Sequence, residues 1–489
     1  MNKLKPIMFV GTGSDVGKSI INAAFCRIFK QDGYSPAPFK AQNMSLNSYA
    51  TADGLEIGRA QAMQAEACGI ECSVEMNPLL LKPTSDQVSQ VILNGKPIGN
   101  QSAKEFFMEG DREILFKEVI KSYSKLEAKY NPIVIEGAGS ISEINLWKKD
   151  IVNMRVAVEA NADTYLIADI DKGGVFASVY GSIELLPKTE RSQIKGIIIN
   201  KFRGDISLFE EGKNIIHELT GVPVVGVIPY FRDIHIDDED SVILDKKYGG
   251  NTPNLVNIVV VLLNHMSNFT DFNSLEQIPE INLYYSDKTK DIENADIIII
   301  PGSKNTIHDL KILKQKGIDK AIIASQKKGK SVYGICGGFQ MMGKSIADPL
   351  GVEGDIKEIK ALNILPVKTT LTEVKTTEQC TYSYKNSNEI CKGYEIHMGE
   401  TTFDKQSPLC SISDIKDDGY FLNNKVWGTY IHGIFDNYIV IKDIIKIAKG
   451  VDIKHFNLET FKDDNYNKLA NLVRNNVEMD YIYKMAKND

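Results

Sequence analysis

Short apolar runs alternate along the chain with longer segments in which apolar residues recur at helical spacing. In the first half the runs are IMFV, IVIEGAG, TYLIADID, IKGIIINKF and PVVGVIP, and in the second half they are VNIVVVLLN, ADIIIIPG, SVYGICGG and KVWGTYIHG. Continuous apolar runs are typical of strands that are covered by helices on both faces. Strands that alternate with helices form βαβ units, so we predict an α/β fold with two doubly wound, mainly parallel sheets.

One stretch between the two series of strands interrupts this alternation. Its sequence, RDIHIDDEDSVILDKKYGGNTPNL, carries many charges and then a Gly-Gly pair and a proline, which is typical of a linker. The chain has 489 residues, which is too long for one compact core. The predicted boundaries are residues 1–232 for the first domain, 233–255 for the linker, 256–450 for the second domain and 451–489 for a C-terminal helical extension.

The C-terminal extension has apolar residues at helical spacing, namely Leu469, Leu472, Val473 and Val477. This pattern predicts a helix with one buried face. We expect the helix to pack on the second domain.

Composition restricts the class of protein. The net charge of −7 and the lack of a long basic run argue against a nucleic-acid partner, because nucleic-acid binding depends on clustered Lys and Arg. The seven cysteines are scattered and contain no CxxC pair, which predicts neither a zinc site nor a disulfide framework and favours a cytoplasmic location. No apolar run is long enough for a membrane span or a signal peptide, so we expect no membrane partner.

A glycine-rich loop lies between the first predicted strand and the first predicted helix, in the segment MFVGTGSDVGKSIIN. Its glycine is Gly11, one residue earlier than in the usual P-loop pattern, and Thr12 occupies the usual position. A strand, a glycine loop and a helix N-terminus in this order direct backbone N–H groups at an anion. We predict that Lys18 contacts the β- and γ-phosphates of a nucleotide and that the Ser19 hydroxyl binds Mg²⁺. The alternative is a glycine-rich turn that binds nothing.

The spacing GTGSDVGKS resembles the loop of the dethiobiotin synthetase-like ATPases, which phosphorylate carboxylates. The resemblance also implies roles for two strand ends: Glu136 in IVIEGAGS as a metal ligand and Asn200 in IIINKF as a contact to the base. The alternatives are a helix cap for Glu136 and a turn residue for Asn200. The ATP-binding residues implied in the loop are Thr12, Gly13, Val16, Gly17, Lys18 and Ser19.

Three further assignments concern the phosphates, the metal and the substrate. Lys40 ends the strand-like run APFK and is predicted to neutralise phosphate oxygens, with a solvated surface lysine as the alternative. Of Asp53 and Glu56, one is expected to bind Mg²⁺ and the other to cap a helix, and the dethiobiotin synthetase pattern favours Glu56 as the ligand. Asp171 lies beside Lys172 at the C-terminal end of a strand, where α/β sheets bind ligands, so we predict that it contacts the substrate; a plain turn is the alternative.

The segment SVYGICGGFQMMG reads as a strand, a Gly-Cys-Gly-Gly turn and a helix. A cysteine on such a turn projects from the sheet edge, and the helix N-terminus behind it favours the thiolate. Cys336 is therefore the predicted nucleophile, with a buried structural cysteine as the alternative. His432 in VWGTYIHGIF is the predicted proton shuttle. The predicted oxyanion-hole donors are the backbone N–H group of Gly302 or Ser303 together with that of Gly337.

The order of this cysteine and histidine is similar to that of class I glutamine amidotransferases, which release ammonia from glutamine through a thioester. Most of these enzymes carry a Glu two residues after the His, where this chain has Ile434. The sequence therefore predicts either a Cys–His dyad or another acceptor for the imidazole, and Asp436 is a candidate that could equally cap a helix. His397 in GYEIHMG is expected to be a core histidine rather than a catalytic one.

An ATPase of this kind fused to such a glutaminase resembles the cobyric acid synthase family. Segments similar to those of the family run through most of the chain: FKAQNMSLNSYATADGLEIGRAQAMQAEA, MNPLLLKPTSDQVSQVILNGK, EGAGSISEINL, DIDKGGVFASVYG, GYEIHMGET and GTYIHGIFDN. The resemblance implies ATP- and glutamine-dependent amidation of the b, d, e and g carboxylates of a corrinoid, adenosylcobyrinic acid a,c-diamide, through acyl phosphates. ATP is the implied co-substrate and Mg²⁺ the implied metal.

Three other hypotheses compete with this one. The first is the sister enzyme that amidates the a and c carboxylates of the same ring, against which the segments NMSLNSY and DIDKGGVFA argue. The second is an amidotransferase of a cell-wall precursor, whose two activities usually lie on separate chains. The third is an ATPase that positions DNA or septa, in which Cys336 and His432 would have no role.

Overall fold

The computed structural model describes residues 3–84, 87–102, 105–106, 112–237, 249–413 and 416–487. The first half is built around a six-stranded sheet in which every neighbouring pair of strands is parallel. All five apolar runs predicted there are strands of this sheet. Its strands, in spatial order, are Val224–Pro229, Ile194–Phe202, Asp163–Asp169, Ile7–Gly11, Ile133–Glu136 and Ala37–Phe39.

This sheet is buried on both faces. In its strand Ile7–Gly11, Met8 and Val10 belong to one apolar cluster, whereas Ile7 and Phe9 belong to another. Successive side chains of a strand point to opposite faces, so each face has its own core. The helices of the first half are Lys18–Gln31, Arg59–Cys68, Arg112–Glu127, Met154–Glu159, Val175–Glu184, Lys188–Arg191 and Glu210–Thr220.

Two smaller sheets of the first half lie beside the main one. A four-stranded sheet has the strand order Gln42–Met44, Leu79–Pro83, Val88–Leu93 and Lys96–Ser102. A two-stranded sheet pairs Ser48–Ala50 with Glu56–Gly58. The two-stranded sheet contacts the second half, where the N–H of Ser48 donates to Oδ1 of Asn268 at 2.9 Å.

The second half contains another six-stranded sheet, and only its edge strand Tyr420–Asn423 is antiparallel to its neighbour. The two-sheet α/β prediction is therefore confirmed. The other strands, in spatial order, are Ile281–Ser286, Val256–Val261, Ile297–Ile300, Ser331–Ile335 and Val426–Thr429. The helices are Asn273–Glu276, Thr289–Asn294, Thr306–Gln315, Ile318–Lys327, Gly337–Met342 and Tyr438–Lys449.

A long antiparallel hairpin of the second half, Val367–Tyr384 with Ile390–Phe403, joins it to the first half. The amide of Gln379 on this hairpin donates to the carbonyl of Ala50 at 2.9 Å. The apolar pattern did not predict the hairpin, because many of its residues are polar and partly exposed. The remaining strands of its sheet are Ser345–Ala347, Glu358–Lys360, Cys410–Ser413, Lys416–Asp418 and Ile431–His432.

The C-terminal extension forms the helices Leu458–Asn476 and Met479–Ala486, and it packs on the first half. Leu469 and Val473 share an apolar cluster with Phe25 of the first helix. The expectation that this helix packs on the second domain is wrong. Its apolar face packs on the side of the first sheet that is covered by the helix Lys18–Gln31. The spacing of apolar residues predicts that the helix has a buried face, but it does not predict which surface covers that face.

Of the predicted linker, residues 238–248 lie outside the described residues. Residues 233–237 and 249–255 contain neither helix nor strand. No helix in the described ranges has both the length and the apolar character that a membrane crossing needs.

Replacing Leu469 by Ala tests where the extension packs. Leu469 is fully buried, so its truncation is expected to lower the free energy of unfolding by about 2–5 kcal/mol. Hydrogen exchange should become faster in the helix Lys18–Gln31 and remain unchanged in Tyr438–Lys449. The neighbouring exposed position provides a control, Lys468→Ala, which should change neither quantity. Faster exchange confined to the second half would contradict this packing.

Candidate active sites

The glycine-rich loop connects the strand Ile7–Gly11 to the helix Lys18–Gln31, as the sequence predicted. The ammonium group of Lys18 turns back over the loop and donates to the carbonyls of Gly13, at 2.9 Å, and Gly139, at 3.0 Å. This lysine therefore lies at the junction of the phosphate loop and the loop that follows the strand ending at Glu136.

The carboxylate of Glu136, which is almost fully buried at the end of its strand, accepts hydrogen bonds from three polar side chains. Its Oε1 accepts from the Ser19 hydroxyl at 2.7 Å and from the Lys40 ammonium at 2.8 Å. Its Oε2 accepts from the Gln64 amide at 2.6 Å. The structure thus brings together three predicted residues and adds Gln64, which the sequence analysis missed because an amide within a helix has no distinguishing pattern.

Asn200 holds the phosphate loop from the strand Ile194–Phe202, which lies two positions along the sheet from Ile7–Gly11. Its Nδ2 donates to the carbonyl of Val16 at 2.8 Å, and its Oδ1 accepts from the N–H of Lys201 at 2.8 Å. A Cβ at Gly17 would lie 2.2 Å from the Asn200 amide, so this close approach requires glycine.

Most of the residues predicted for this site border one cavity of about 1320 Å³. Asp171 is among them and forms an ion pair with Arg203, with a separation of 2.5 Å between Oδ1 and Nε. The predicted residues at the cavity are Thr12, Gly13, Gly17, Lys18, Ser19, Lys40, Glu136, Asp171 and Asn200.

The prediction that Glu56 shares a metal site with Ser19 and Glu136 needs correction. Glu56 is buried elsewhere, where its Oε1 lies 2.8 Å from the Lys82 ammonium and its Oε2 contacts Lys375 of the second half. Burial raises the pKa of Glu56, but the two ammonium groups lower it by more. A spacing pattern does not reveal that a distant hairpin brings Lys375 to this carboxylate.

Asp53, the other residue considered as a metal ligand, is exposed and accepts from the Thr51 hydroxyl at 2.5 Å. Beside the phosphate loop, the hydroxyl oxygen of Ser19 lies 2.7 Å from the carboxylate oxygen Oε1 of Glu136, and both are possible metal ligands. Hydroxyl and carboxylate oxygens are the kind of ligand that Mg²⁺ prefers, so this pair fits the metal.

Cys336 occupies the turn between the strand Ser331–Ile335 and the helix Gly337–Met342. Its backbone φ is 51°, a conformation that is strained for a residue other than glycine and that typifies nucleophile turns. Glycine is required at Gly338, where a Cβ would lie 1.9 Å from the carbonyl oxygen of Ile300. The backbone therefore holds the thiol at the sheet edge, as predicted.

His432 is held by Asp271, a residue that sequence reasoning missed. The Nδ1 of His432 lies 2.7 Å from Asp271 Oδ2, and the N–H of Gly433 donates to Asp271 Oδ1 at 3.1 Å. Burial lowers the pKa of His432, but Asp271 and the neighbouring Cys336 raise it by more, to about 10. The pair therefore favours an imidazolium beside the thiol.

Asp436, the acceptor suggested by the sequence, does not contact His432. It accepts instead from the Ser274 hydroxyl at 2.5 Å. Asp271 lies 161 positions before His432. No spacing rule links them, and the partnership exists only because the fold packs Phe269–Phe272 against the strand of His432.

The short strand Gly302–Ser303, which pairs with Met266–Ser267, lies against the cysteine turn. A Cβ at Gly337 would be 2.8 Å from the Ser303 nitrogen, and a Cβ at Gly302 would be 3.4 Å from His432 Cε1. Ser303 therefore lies close to Gly337, the residue after the nucleophile, and Gly302 lies close to His432. Their role as donors to an oxyanion stays a prediction.

His397 lies near this site but has structural contacts. Its ring stacks on Tyr430 with centroids 3.8 Å apart, and its Nε2 is 3.4 Å from Glu395 Oε2. These contacts agree with the expectation of a core histidine.

Comparison with known proteins identifies relatives of both halves. The family model of the CobQ/CobB/MinD/ParA nucleotide binding domain matches residues 7–242, and that of the CobB/CobQ-like glutamine amidotransferase domain matches residues 257–439. The cobyric acid synthase of Parabacteroides distasonis is 57% identical over 495 residues, which cover 99% of each chain. Those of Bacteroides fragilis and Caldanaerobacter subterraneus are 54% and 45% identical, covering 99% and 98% of each chain.

Replacing Asp271 by Asn tests the charge behind His432. The substitution removes the charge that raises the pKa of the imidazole, so we expect that pKa to fall below its value of about 10. The imidazolium, which is lost in the wild type as pH rises through that value, should then be lost at a lower pH. We expect the glutamine-dependent rate to fall by about 10²- to 10⁴-fold. NMR titration of the His432 ring and steady-state kinetics measure the two effects.

Asp436→Asn is the matched control, because this carboxylate is half-buried near His432 in the chain but contacts Ser274. It should leave the titration of His432 and the rate nearly unchanged. Equal losses in the two variants would contradict the role of Asp271.

Proposed function

The chain belongs to the cobyric acid synthase family, and from this we propose that its two halves carry out successive parts of one amide-forming reaction. It is a glutamine-dependent amidotransferase of cobalamin biosynthesis. The proposed substrates are ATP, glutamine and adenosylcobyrinic acid a,c-diamide, amidated at the b, d, e and g carboxylates. The observation that carries the proposal is the presence of two complete and different polar sites in one chain, one around Glu136 and one around Cys336.

The first half activates the carboxylate. A carboxylate resists attack because it is negatively charged and has no good leaving group. Its oxygen attacks the γ-phosphorus of ATP, ADP leaves, and the product is an acyl phosphate. Lys18, which lies over the phosphate loop, and Lys40, which shares the Glu136 carboxylate with Ser19, neutralise the phosphoryl oxygens during transfer. The ligands of Mg²⁺ would be Ser19 and Glu136, and the bound ion supplies further charge neutralisation.

The corrinoid enters on the Glu136 side of the cavity. The cavity extends beyond Gly139 to the apolar side chains of Met44, Leu146 and Trp147. Met44 and Leu146 are exposed although they are apolar, at 48% and 39%. Apolar surface of this kind suits the face of a macrocycle, and it lies beside the lysines that act on the carboxylate.

The second half supplies the nitrogen. The Cys336 thiolate attacks the amide carbon of glutamine, and the N–H groups of Gly302, Ser303 and Gly337 stabilise the oxyanion. The His432 imidazolium gives its proton to the departing nitrogen, which leaves as ammonia, and a thioester remains. Water then releases glutamate. Ammonia attacks the acyl phosphate in the first half, forming the amide and expelling phosphate.

We propose a cytoplasmic location, which the cysteines support. All seven are free thiols. Unpaired thiols support the predicted reducing, cytoplasmic compartment.

Two variants separate the proposed half-reactions. Cys336→Ala should reduce glutamine-dependent amidation by at least about 10³-fold, because the nucleophile is lost. Amidation supported by ammonium salts should persist. Lys18→Ala should abolish amidation with either nitrogen source, because the acyl phosphate no longer forms. Product formation and ADP release measure both outcomes.

Cys391→Ala, a buried thiol outside both cavities, is the control for the cysteine variant and should keep both activities. Loss of ammonium-supported turnover in Cys336→Ala, or its survival in Lys18→Ala, would contradict this division of roles.

A further inference from the structure

The cavity beside Cys336 has a volume of about 330 Å³ and is lined by side chains from both halves. Several of these side chains are cationic groups that already contact a carboxylate. Lys82 and Lys375 contact Glu56, and His432 contacts Asp271. His397 lies 3.4 Å from Glu395, as described above.

Lys304 differs from these cationic groups. Its ammonium donates to Oε1 of Gln90 at 3.1 Å, and within the described ranges no carboxylate lies in ion-pair contact with it. Glu353 also lines the cavity, but its Oε2 accepts from the N–H of Ile307 at 2.9 Å. Burial, together with Lys375 and Lys82, lowers the pKa of Lys304 to about 7, although the more distant carboxylates of Glu56 and Glu353 oppose this shift. A partly buried ammonium that lacks a directly paired carboxylate is unfavourable, and an anionic ligand would supply that partner.

The position of Lys304 in the cavity indicates which anionic ligand it binds. It directly follows Ser303, whose N–H is a proposed donor to the oxyanion. A glutamine whose amide carbon lies at Cys336 extends away from it by three methylene or methine carbons. Its α-carboxylate then lies about 5 Å from the reacting carbon. A lysine side chain that starts next to Ser303 can reach this position.

We propose, resting on the function proposed above, that Lys304 binds the α-carboxylate of glutamine and that Gln90 of the first half holds the lysine in place. The lysine thereby selects an amide that carries a carboxylate over amides that do not. Because Gln90 lies on the strand Val88–Leu93, the glutamine pocket is complete only when the two halves are in contact.

The test compares glutamine with 4-aminobutyramide, which has the same amide and amine but lacks the α-carboxylate. In the wild type we expect kcat/KM for glutamine to exceed that for 4-aminobutyramide by about 10- to 100-fold, the size expected for one charged hydrogen bond. Lys304→Met should remove most of this preference by weakening glutamine alone. Lys304→Arg, which keeps the charge, should retain part of it. Amidation with ammonium salts should be unchanged in both variants.

Lys311→Met, at an exposed position on the helix Thr306–Gln315, is the matched control and should keep the wild-type preference. Equal losses with both amides in Lys304→Met would show a merely structural role and overturn the inference. A wild type that does not use glutamine at all would instead contradict the proposed function, so the two failures are distinguishable.

Discussion

The carboxylate of Glu56 lies between two ammonium groups that belong to different halves of the molecule. Lys82 contacts it from the first half, and Lys375 contacts it from the long hairpin of the second half. All three side chains are almost completely buried, and removing one partner of a buried ion pair typically costs about 3–5 kcal/mol. The triad of Lys82, Glu56 and Lys375 is complete only when the two halves are packed together, so it links their packing to the charge balance beside the cysteine cavity.

Each cavity depends on a further buried carboxylate that organises polar groups before a substrate arrives. Glu136 holds Ser19 and Lys40 beside the phosphate loop, and Asp271 holds His432 beside Cys336. Preorganised charges of this kind stabilise developing charge without rearrangement during the reaction. In the proposed reaction, ammonia is the only species that must pass from one site to the other.

The features that the sequence predicted depend on residues close together in the chain. The features that it missed depend on residues far apart in the chain. The apolar strands predicted for the two six-stranded sheets, the phosphate loop and the turn at Cys336 are set by neighbouring residues, so periodicity and spacing were sufficient to predict them. The partnerships of His432 with Asp271 and of Glu56 with Lys375 join residues 161 and 319 positions apart. They depend on how the sheets and the hairpin pack, and so does the placement of the C-terminal helix.

The mass of the corrinoid product tests the central claim most directly. The protein would be incubated with ATP, Mg²⁺, glutamine and adenosylcobyrinic acid a,c-diamide, and the corrinoid mass followed with time. We predict four successive losses of about one mass unit, since each activated carboxylate exchanges one OH for NH₂. No loss from the diamide, or amidation that proceeds without ATP, would contradict the account.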